Sequence, residues 1–354
     1  MTTYNQTIAV TGLSTSDSPA PGVAVIRAIR AATEFTGKIV GLSYDPLETG
    51  IYMEGICDSS YLIPYPSCGS RALLERIQEI HNETPLDAIV PTLDSELPSF
   101  LAIKNCLSEM GIGIILPTAE SLLLCSKAML PKLKDMGINV PLGKCLSDLV
   151  SIDVHDKSLN YPMVIKGKFY EADIVYSQAQ AHRSFKRLAA KWGVPVIAQE
   201  FIVGEEYDIV AVGDGLGGLI GAVPMRKMQL TDKGKAWGGL TICDPELDSF
   251  VKEMMSILKW NGPCEFEVMK STKDEYYLIE VNPRFPAWCF LAVEAGQNLP
   301  WVVAKMALGQ KVSPLPQYKV GIMFLRHCID VAYPMEIFES MTTKGEYHKE
   351  KEVS

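Results

Sequence analysis

The residues best suited to chemistry stand at two strand ends late in the chain: Glu267, and the run Glu280-Val-Asn282-Pro-Arg284. Gly262-Pro-Cys-Glu-Phe-Glu-Val-Met reads as a strand, Lys270 to Glu275 as a polar turn, and Tyr276-Tyr-Leu-Ile-Glu-Val-Asn as its hairpin partner. Residues two apart in a strand share a face. Glu280 and Asn282 therefore point the same way, and Glu267 on the neighbouring strand can join them. Two carboxylates and an amide oxygen make a hard oxygen site, which suits Mg²⁺ (or Mn²⁺) held against nucleotide phosphates. Glu265, on the same face two residues earlier, is the alternative first ligand. Arg284 is placed to reach a phosphoryl group whose charge grows during transfer. The carboxylates alone would fit an amphipathic hairpin with a solvated face; the Asn-Pro-Arg continuation and the upstream segments decide against that.

Positioning these residues requires a sizeable scaffold. Thr7-Ile-Ala-Val-Thr-Gly12 reads as a buried strand, followed by a helix to about Arg30, a strand from Lys38 and a short one at Tyr61-Leu-Ile-Pro. A helix over 70–82, a strand Asp87-Ala-Ile-Val-Pro, a helix over 96–110 and a strand from Ile112 continue the alternation. That rhythm predicts a parallel sheet with crossover helices. Gly12 has no second glycine before Gly22, so the dinucleotide-binding glycine spacing is absent. Residues 118–130 read as helical with Pro131 restarting the helix, Tyr161-Pro-Met-Val-Ile-Lys166 as a strand ending in lysine, and 179–192 as a helix. Val196 to Val212 reads as two strands joined by an acidic turn. The tail from Thr342 is charged and is expected to fray.

Length and composition exclude several classes. A chain of 354 residues predicts about two or three domains. With 47% hydrophobic and 21% charged residues it is of ordinary globular composition. The formal net charge of −9 argues against nucleic acid as a bulk partner. No apolar stretch reaches membrane-spanning length, and the N-terminus lacks signal-peptide character. The nine cysteines are scattered without a Cys-x-x-Cys and read as reduced thiols, which predicts a cytoplasmic protein. The five histidines are too dispersed for metal-ligand spacing.

Four segments occur in one order: Ser126-Lys127…Gly137-Ile-x-x-Pro141, Tyr161-Pro-Met-Val-Ile-Lys166, Gln199-Glu-Phe-Ile-x-Gly-x-Glu206-Tyr-Asp208, and Glu267…Glu280-Val-Asn282-Pro-Arg284. Together they resemble the ATP-grasp ligases, with the carbamoyl-phosphate-synthase-like and amino-acid-ligase branches nearest in character. The resemblance covers about residues 5–310. It implies an α/β chain: a Rossmann-like pre-ATP-grasp parallel-sheet domain (1–117), then a two-lobed α+β ATP-grasp domain with its small lobe and linking helices at 118–200 and its large lobe with the metal site at 201–341, and a charged tail (342–354). Residue by residue, it makes Lys127 and Lys166 contacts to ATP. It makes Gln199, Glu200, Phe201 and Ile202 the adenine-reading hinge, and Glu206 the holder of the ribose hydroxyls. Glu267, Glu280 and Asn282 become the Mg²⁺ ligands and Arg284 the phosphate-binding arginine. Arg226, on the segment that in this family faces the reaction centre, is the candidate for holding the acceptor carboxylate or the γ-phosphoryl. The run Lys233 to Gly239 is placed to cover substrate.

The chain departs from the family pattern in its phosphate loop. Lys166-Gly-Lys-Phe-Tyr-Glu-Ala-Asp-Ile carries one glycine, so the lid must be short or held by side chains such as Lys168. Position 287 is Ala where carbamoyl-phosphate synthases carry a second arginine, which sets that substrate aside. The implied chemistry is phosphorylation of a carboxylate by ATP, then attack by an amine or other nucleophile. Small-molecule carboxylates and amines, such as amino acids or peptides, are the expected partners. The alternatives are a carboxylase acting through carboxyphosphate and a nucleotide-binding protein without ligase activity. The sequence is silent on assembly, though homodimers are frequent in the family.

Overall fold

The computed structural model describes residues 3–16, 18–153, 159–168, 171–231, 234, 236–330 and 332–349. Strands β1 (Thr7–Thr11), β2 (Lys38–Ser43), β3 (Ser59–Leu62), β4 (Ala88–Val90) and β5 (Gly113–Ile114) form a parallel sheet in the order β3-β2-β1-β4-β5. These are short runs of apolar residues, buried on both faces, as a sheet flanked by helices requires. Helices Gly22–Arg30, Ser70–Glu83 and Leu97–Glu109 occupy the crossovers, close to the expected spans. Gly22 must be glycine: a Cβ there would come within 2.1 Å of the Thr11 carbonyl oxygen and 2.4 Å of that of Gly12.

Four more strands, β6 (Gly143–Leu146), β7 (Met163–Lys166), β8 (Ala172–Val175) and β9 (Val196–Glu200), make an antiparallel sheet ordered β6-β9-β7-β8. It has a core of its own, with Phe185 and Leu188 of the helix Gln178–Trp192 packed on Ile165, Val196 and Ala198. A third sheet contains β10 (Gly204–Asp214), β11 (Leu219–Leu230), β12 (Ala236–Thr241), β13 (Asn261–Ser271), β14 (Tyr276–Asn282) and β15 (Met323–Leu325), in the order β14-β13-β10-β11-β12-β15. One face is covered by the helix Pro245–Leu258, whose start is fixed by Asp244 accepting from Glu246 and Leu247 N–H at 3.1 Å each, with Pro245 at the first helical position. The other face shares a continuous core with the parallel sheet: Val210, Val212 and Met225 join Ile8, Val10 and the helix Leu299–Ala307.

The hairpin carrying Glu267 and Glu280 forms as expected. Three local readings are corrected. Residues 126–129 form a turn leading to a 3₁₀ segment, Leu130–Lys134, so Lys127 stands on no α-helix. The acidic stretch Gly204-Glu-Glu206 lies on β10, not in a turn, because β10 pairs with β13 from its first residue. The charged tail does not fray at Thr342: the helix Met335–Lys344 continues into β16 (Glu346–His348), which adds antiparallel to the edge strand β3. Residues 350–354 lie outside the described residues, as do Asp232 and, in the expected substrate cover, Lys233 and Lys235. Among the described residues no helix is long and apolar enough to cross a membrane.

Candidate active site

The polar side chains gather on one face of the large sheet. Asp208 pairs in register with Glu267, Glu267 with Glu280, and Glu265 with Asn282, so one row of carboxylates runs across β10, β13 and β14. A bulge makes this possible. Val268 pairs with Leu278 while Glu267 pairs with Glu280, leaving Ile279 extra. Leu278 and Val281 both reach the core beneath the covering helix, although strict alternation would send them to opposite faces. The inserted residue restores the phase and aims Glu280 into the site.

Cations answer this row. Lys127 Nζ lies 3.2 Å from Glu280 Oε1. Lys166, at the end of β7, is 8% exposed; burial lowers its pKa against the pull of Glu280, Glu267 and Glu206. On β11, Lys227 is buried, hydrogen-bonded to Glu206 and 3.1 Å from Asp208 Oδ1. Burial works against its charge, but Asp208, Glu267 and Glu206 raise its pKa above the ordinary lysine value. Burial also opposes ionisation of Glu267, yet Lys227, Lys166, Lys127 and the Asn282 hydrogen bond outweigh it and hold this carboxyl below its usual range. Glu280 is raised, first by burial and then by Glu267. Asp208 is pushed well up, mainly by burial.

Arg284 is gripped from two sides. Its Nε lies 3.3 Å from Asp94 Oδ1, in the loop after β4, and its Nη1 is 3.2 Å from Glu265 Oε2. Glu265 also accepts from Trp288 Nε1 at 2.7 Å and Asn282 Nδ2 at 3.0 Å. Glu265 is thus occupied in orienting its neighbours, whereas Glu267 faces the lysines. The geometry favours Glu267 over Glu265 as a cation ligand.

The site fits a divalent cation in its donor chemistry. Carboxylate oxygens of Glu206, Asp208 and Glu267 all lie within 4.8 Å of one another. Asp208 Oδ1 is buried, with no hydrogen bond beyond its 3.1 Å ion pair to Lys227. Asn282 donates its amide to both Glu265 and Glu267, at 3.0 Å each, so serving as an oxygen ligand requires its amide to turn over.

The hinge candidates lie where the small sheet passes into the large one. Gln199 is buried on β9, and Glu200 bonds through its backbone N–H to Leu142 O at 2.7 Å and through Oε2 to Leu142 N–H at 3.1 Å. Phe201 and Ile202 lie outside both ladders, Ile202 buried. Glu206 sits two residues before Asp208 on the same face. The loop between β7 and β8 is short and closed by Gly167 N–H to Glu171 O at 2.9 Å. Glu171 and Asp173 are tied to Arg187, and Glu171 also to Lys191, on the helix behind. Phe169 and Tyr170 are outside the described residues.

Arg226 is not brought to the cluster. It pairs in register with Tyr207, whose side chain lies in the core on the opposite face, and its nearest carboxylate is Glu205 at 3.8 Å. Lys227, one residue on, takes the site-facing position. Asp208, Lys227 and Asp94 are the cluster members that the sequence reading did not single out. The two-residue step from Glu206 was signal enough for Asp208; Lys227 needed the register of β11.

The comparisons point the same way. The sequence model of a family described as "ATP-grasp in the biosynthetic pathway with Ter operon" matches residues 193–326. Among solved structures, a biotin carboxylase from Campylobacter jejuni aligns with a TM-score of 0.68 at 16% identity, over 89% of this chain and 73% of that one. The chain has the ATP-grasp fold. An L-amino acid ligase from Bacillus licheniformis aligns with a TM-score of 0.64 at 18% identity, over 87% of this chain and 75% of the other. An N5-carboxyaminoimidazole synthetase from Staphylococcus aureus gives 0.67 at 14% identity, over 88% and 79%. In ATP-grasp terms, the parallel sheet precedes the grasp, and the β6–β9 sheet and the β10–β15 sheet are its two lobes.

Proposed function

We propose that this ATP-grasp protein is an ATP-dependent, ADP-forming ligase that activates a small-molecule carboxylate as an acyl phosphate and passes the acyl group to an amine. The observation that carries the reading is the contact of Lys127 with Glu280 beside the buried Lys166, where cations from outside the large sheet meet its acidic face. Lys127 and Lys166 are suited to hold triphosphate oxygens as compact point charges. Glu267, Glu280 and Asn282 would hold Mg²⁺, which when bound neutralises charge on the transferring phosphoryl group. Residues 199–202 offer a nucleotide base the link between lobes, and Glu206 is within reach of that end of β10. In the first step a carboxylate oxygen bonds to the γ-phosphorus and the bond to ADP breaks. In the second the amine attacks the acyl carbon, phosphate leaves and the amine nitrogen gives up a proton. Arg284, kept charged by Asp94 and Glu265 against the cost of burial, is placed to stabilise the phosphoryl oxygens as charge develops. Lys227 takes over the role assigned above to Arg226.

A carboxylase acting through carboxyphosphate is the second reading, and the likeness to a biotin carboxylase keeps it in view. Release of ADP and phosphate from MgATP, measured with pools of amino acids and small carboxylates and separately with bicarbonate, distinguishes the two. The ligase reading expects stimulation by a carboxylate pool and its loss in Glu280→Gln. Stimulation by bicarbonate alone would transfer the assignment to the carboxylase, and failure to bind ATP would overturn both.

A further inference from the structure

One loop away from Arg284 stands an arginine with no acidic partner among the described residues. Arg326 follows β15 and is half-buried. Its backbone N–H donates to Trp237 O at 2.9 Å. Among the described residues its side-chain donors reach only the carbonyl oxygens of Ala236 and Ala287, each at 3.4 Å. The guanidinium carbon lies 5.9 Å from the centre of the Trp237 ring. Ala287 belongs to the loop opened by Arg284 and Phe285, so Arg326 flanks the proposed site on the side of β12.

Other partly buried arginines are answered by carboxylates: Arg30 by Asp58, Arg76 by Glu79, and Arg284 by Asp94 and Glu265. Among the described residues no carboxylate answers Arg326, and burial pulls its pKa down. A desolvated cation without a counter-charge is costly to keep, and carbonyls at 3.4 Å satisfy its donors poorly. A planar fork beside an indole, with its donors weakly used, has the form that receives a carboxylate through two parallel hydrogen bonds.

We propose that Arg326 binds a carboxylate of the amine substrate, so that the nucleophile is an amino acid or peptide with a free carboxyl group. This rests on the ligase reading for the word nucleophile, but not for the binding itself. Holding that carboxylate outside the phosphoryl site fixes the orientation of the amine and leaves Arg284 free for the transferring group.

Trp237 beside Arg326 supplies a readout apart from turnover. With Mg²⁺ and a non-hydrolysable ATP analogue present, the protein is titrated with a pool of free amino acids and dipeptides, then with the same compounds as C-terminal amides. The signal is the tryptophan emission lost in Trp237→Phe. The expected result is a saturable response to the acids only, weakened about tenfold or more in Arg326→Ala, partly restored in Arg326→Lys, with an unchanged melting temperature. An arginine that merely clips Ala287 to Ala236 would lower the melting temperature and leave the acid-to-amide ratio alone. Equal response to acids and amides, no response to either, or an Arg326→Ala protein indistinguishable from the parent overturns the proposal. ADP release with ATP in the same samples separates the two readings. Release that is indifferent to Arg326 and to the carboxyl group overturns this inference and keeps the ligase. A carboxylate-dependent Trp237 signal without ADP release from any pool does the reverse.

Discussion

Arg284 and Glu96 show how differently two buried charged residues can act. Arg284 is held between Asp94 and Glu265, so its charge is permanent and its position set before substrate arrives. Removing one preorganised donor of this kind typically costs about 3–4 kcal/mol, or roughly 10²–10³ in rate. Steady-state ADP release in Arg284→Ala should fall on that scale, and an unchanged rate would remove Arg284 from the mechanism. Glu96 is a different case. It is fully buried at the carboxyl ends of β1 and β4, accepting from Thr11, Tyr44 and the Thr92 and Leu93 N–H groups. Burial outweighs those bonds and raises its carboxyl from 4.5 to about 6. The folded state therefore keeps a proton that the unfolded chain has released between these values. The stabilisation is complete below pH 4.5 and is lost as pH rises through 6, an effect of about 2 kcal/mol. Urea unfolding at pH 4.5 and 6.5 should show about 1.5 kcal/mol less pH dependence in Glu96→Gln than in the parent. Equal slopes would mean that Glu96 ionises as freely in the fold as outside it.

At the level of elements, the site depends on one strand bulge and one long-range strand register. The extra residue Ile279 lets Tyr276, Leu278 and Val281 all enter the core while Glu280 and Asn282 face the cluster. Deleting Ile279 leaves Val268 opposite Leu278 and Glu267 opposite Glu280, but takes out the bend that aims the carboxylate. Turnover should drop about 10²-fold, the usual consequence of misplacing a reacting group by about 1 Å, while far-ultraviolet circular dichroism stays that of the parent. Retained turnover would show that the bulge aims nothing. The same hairpin was legible in the sequence because its polar turn, apolar flanks and acidic ends lie within about twenty residues. The register was not legible. Which of Arg226 and Lys227 faces the site depends on the pairing of Asp208 with Met225, a contact between distant segments, and the ladder with β12 slips just beyond, between Lys227 and Gln229. No local pattern carries that parity: the family resemblance points to the segment and hence to Arg226, and the lysine one residue on holds the position. Composition misled at the tail for a similar reason: Glu346-Tyr-His348 is polar and charged, but an edge strand needs only backbone pairing, which β3 provides.

For the whole molecule, the distribution of cores says which parts move together. The parallel sheet and the large antiparallel sheet share one apolar cluster through the helices Gly22–Arg30 and Leu299–Ala307, and Arg284 with Asp94 adds an ionic tie across the same junction. The β6–β9 sheet has a separate cluster of its own and passes into β10 through residues 201–203, which lie outside both ladders. A unit with an independent core and a link free of ladder bonds is the one that can swing, since its displacement breaks little apolar contact. Yet it carries Lys166, which the large sheet's carboxylates already attract. Nucleotide binding should therefore draw the small sheet onto the large one, with charge supplying the force and residues 201–203 the pivot. Amide hydrogen exchange with and without MgATP analogue tests this directly. Slowed exchange is expected in 161–168 and 196–203 and around Glu280, with β1, β2 and β4 unchanged. Protection spread evenly over all three sheets would mean that the molecule tightens as one body, and that Lys166 is held in place before nucleotide arrives.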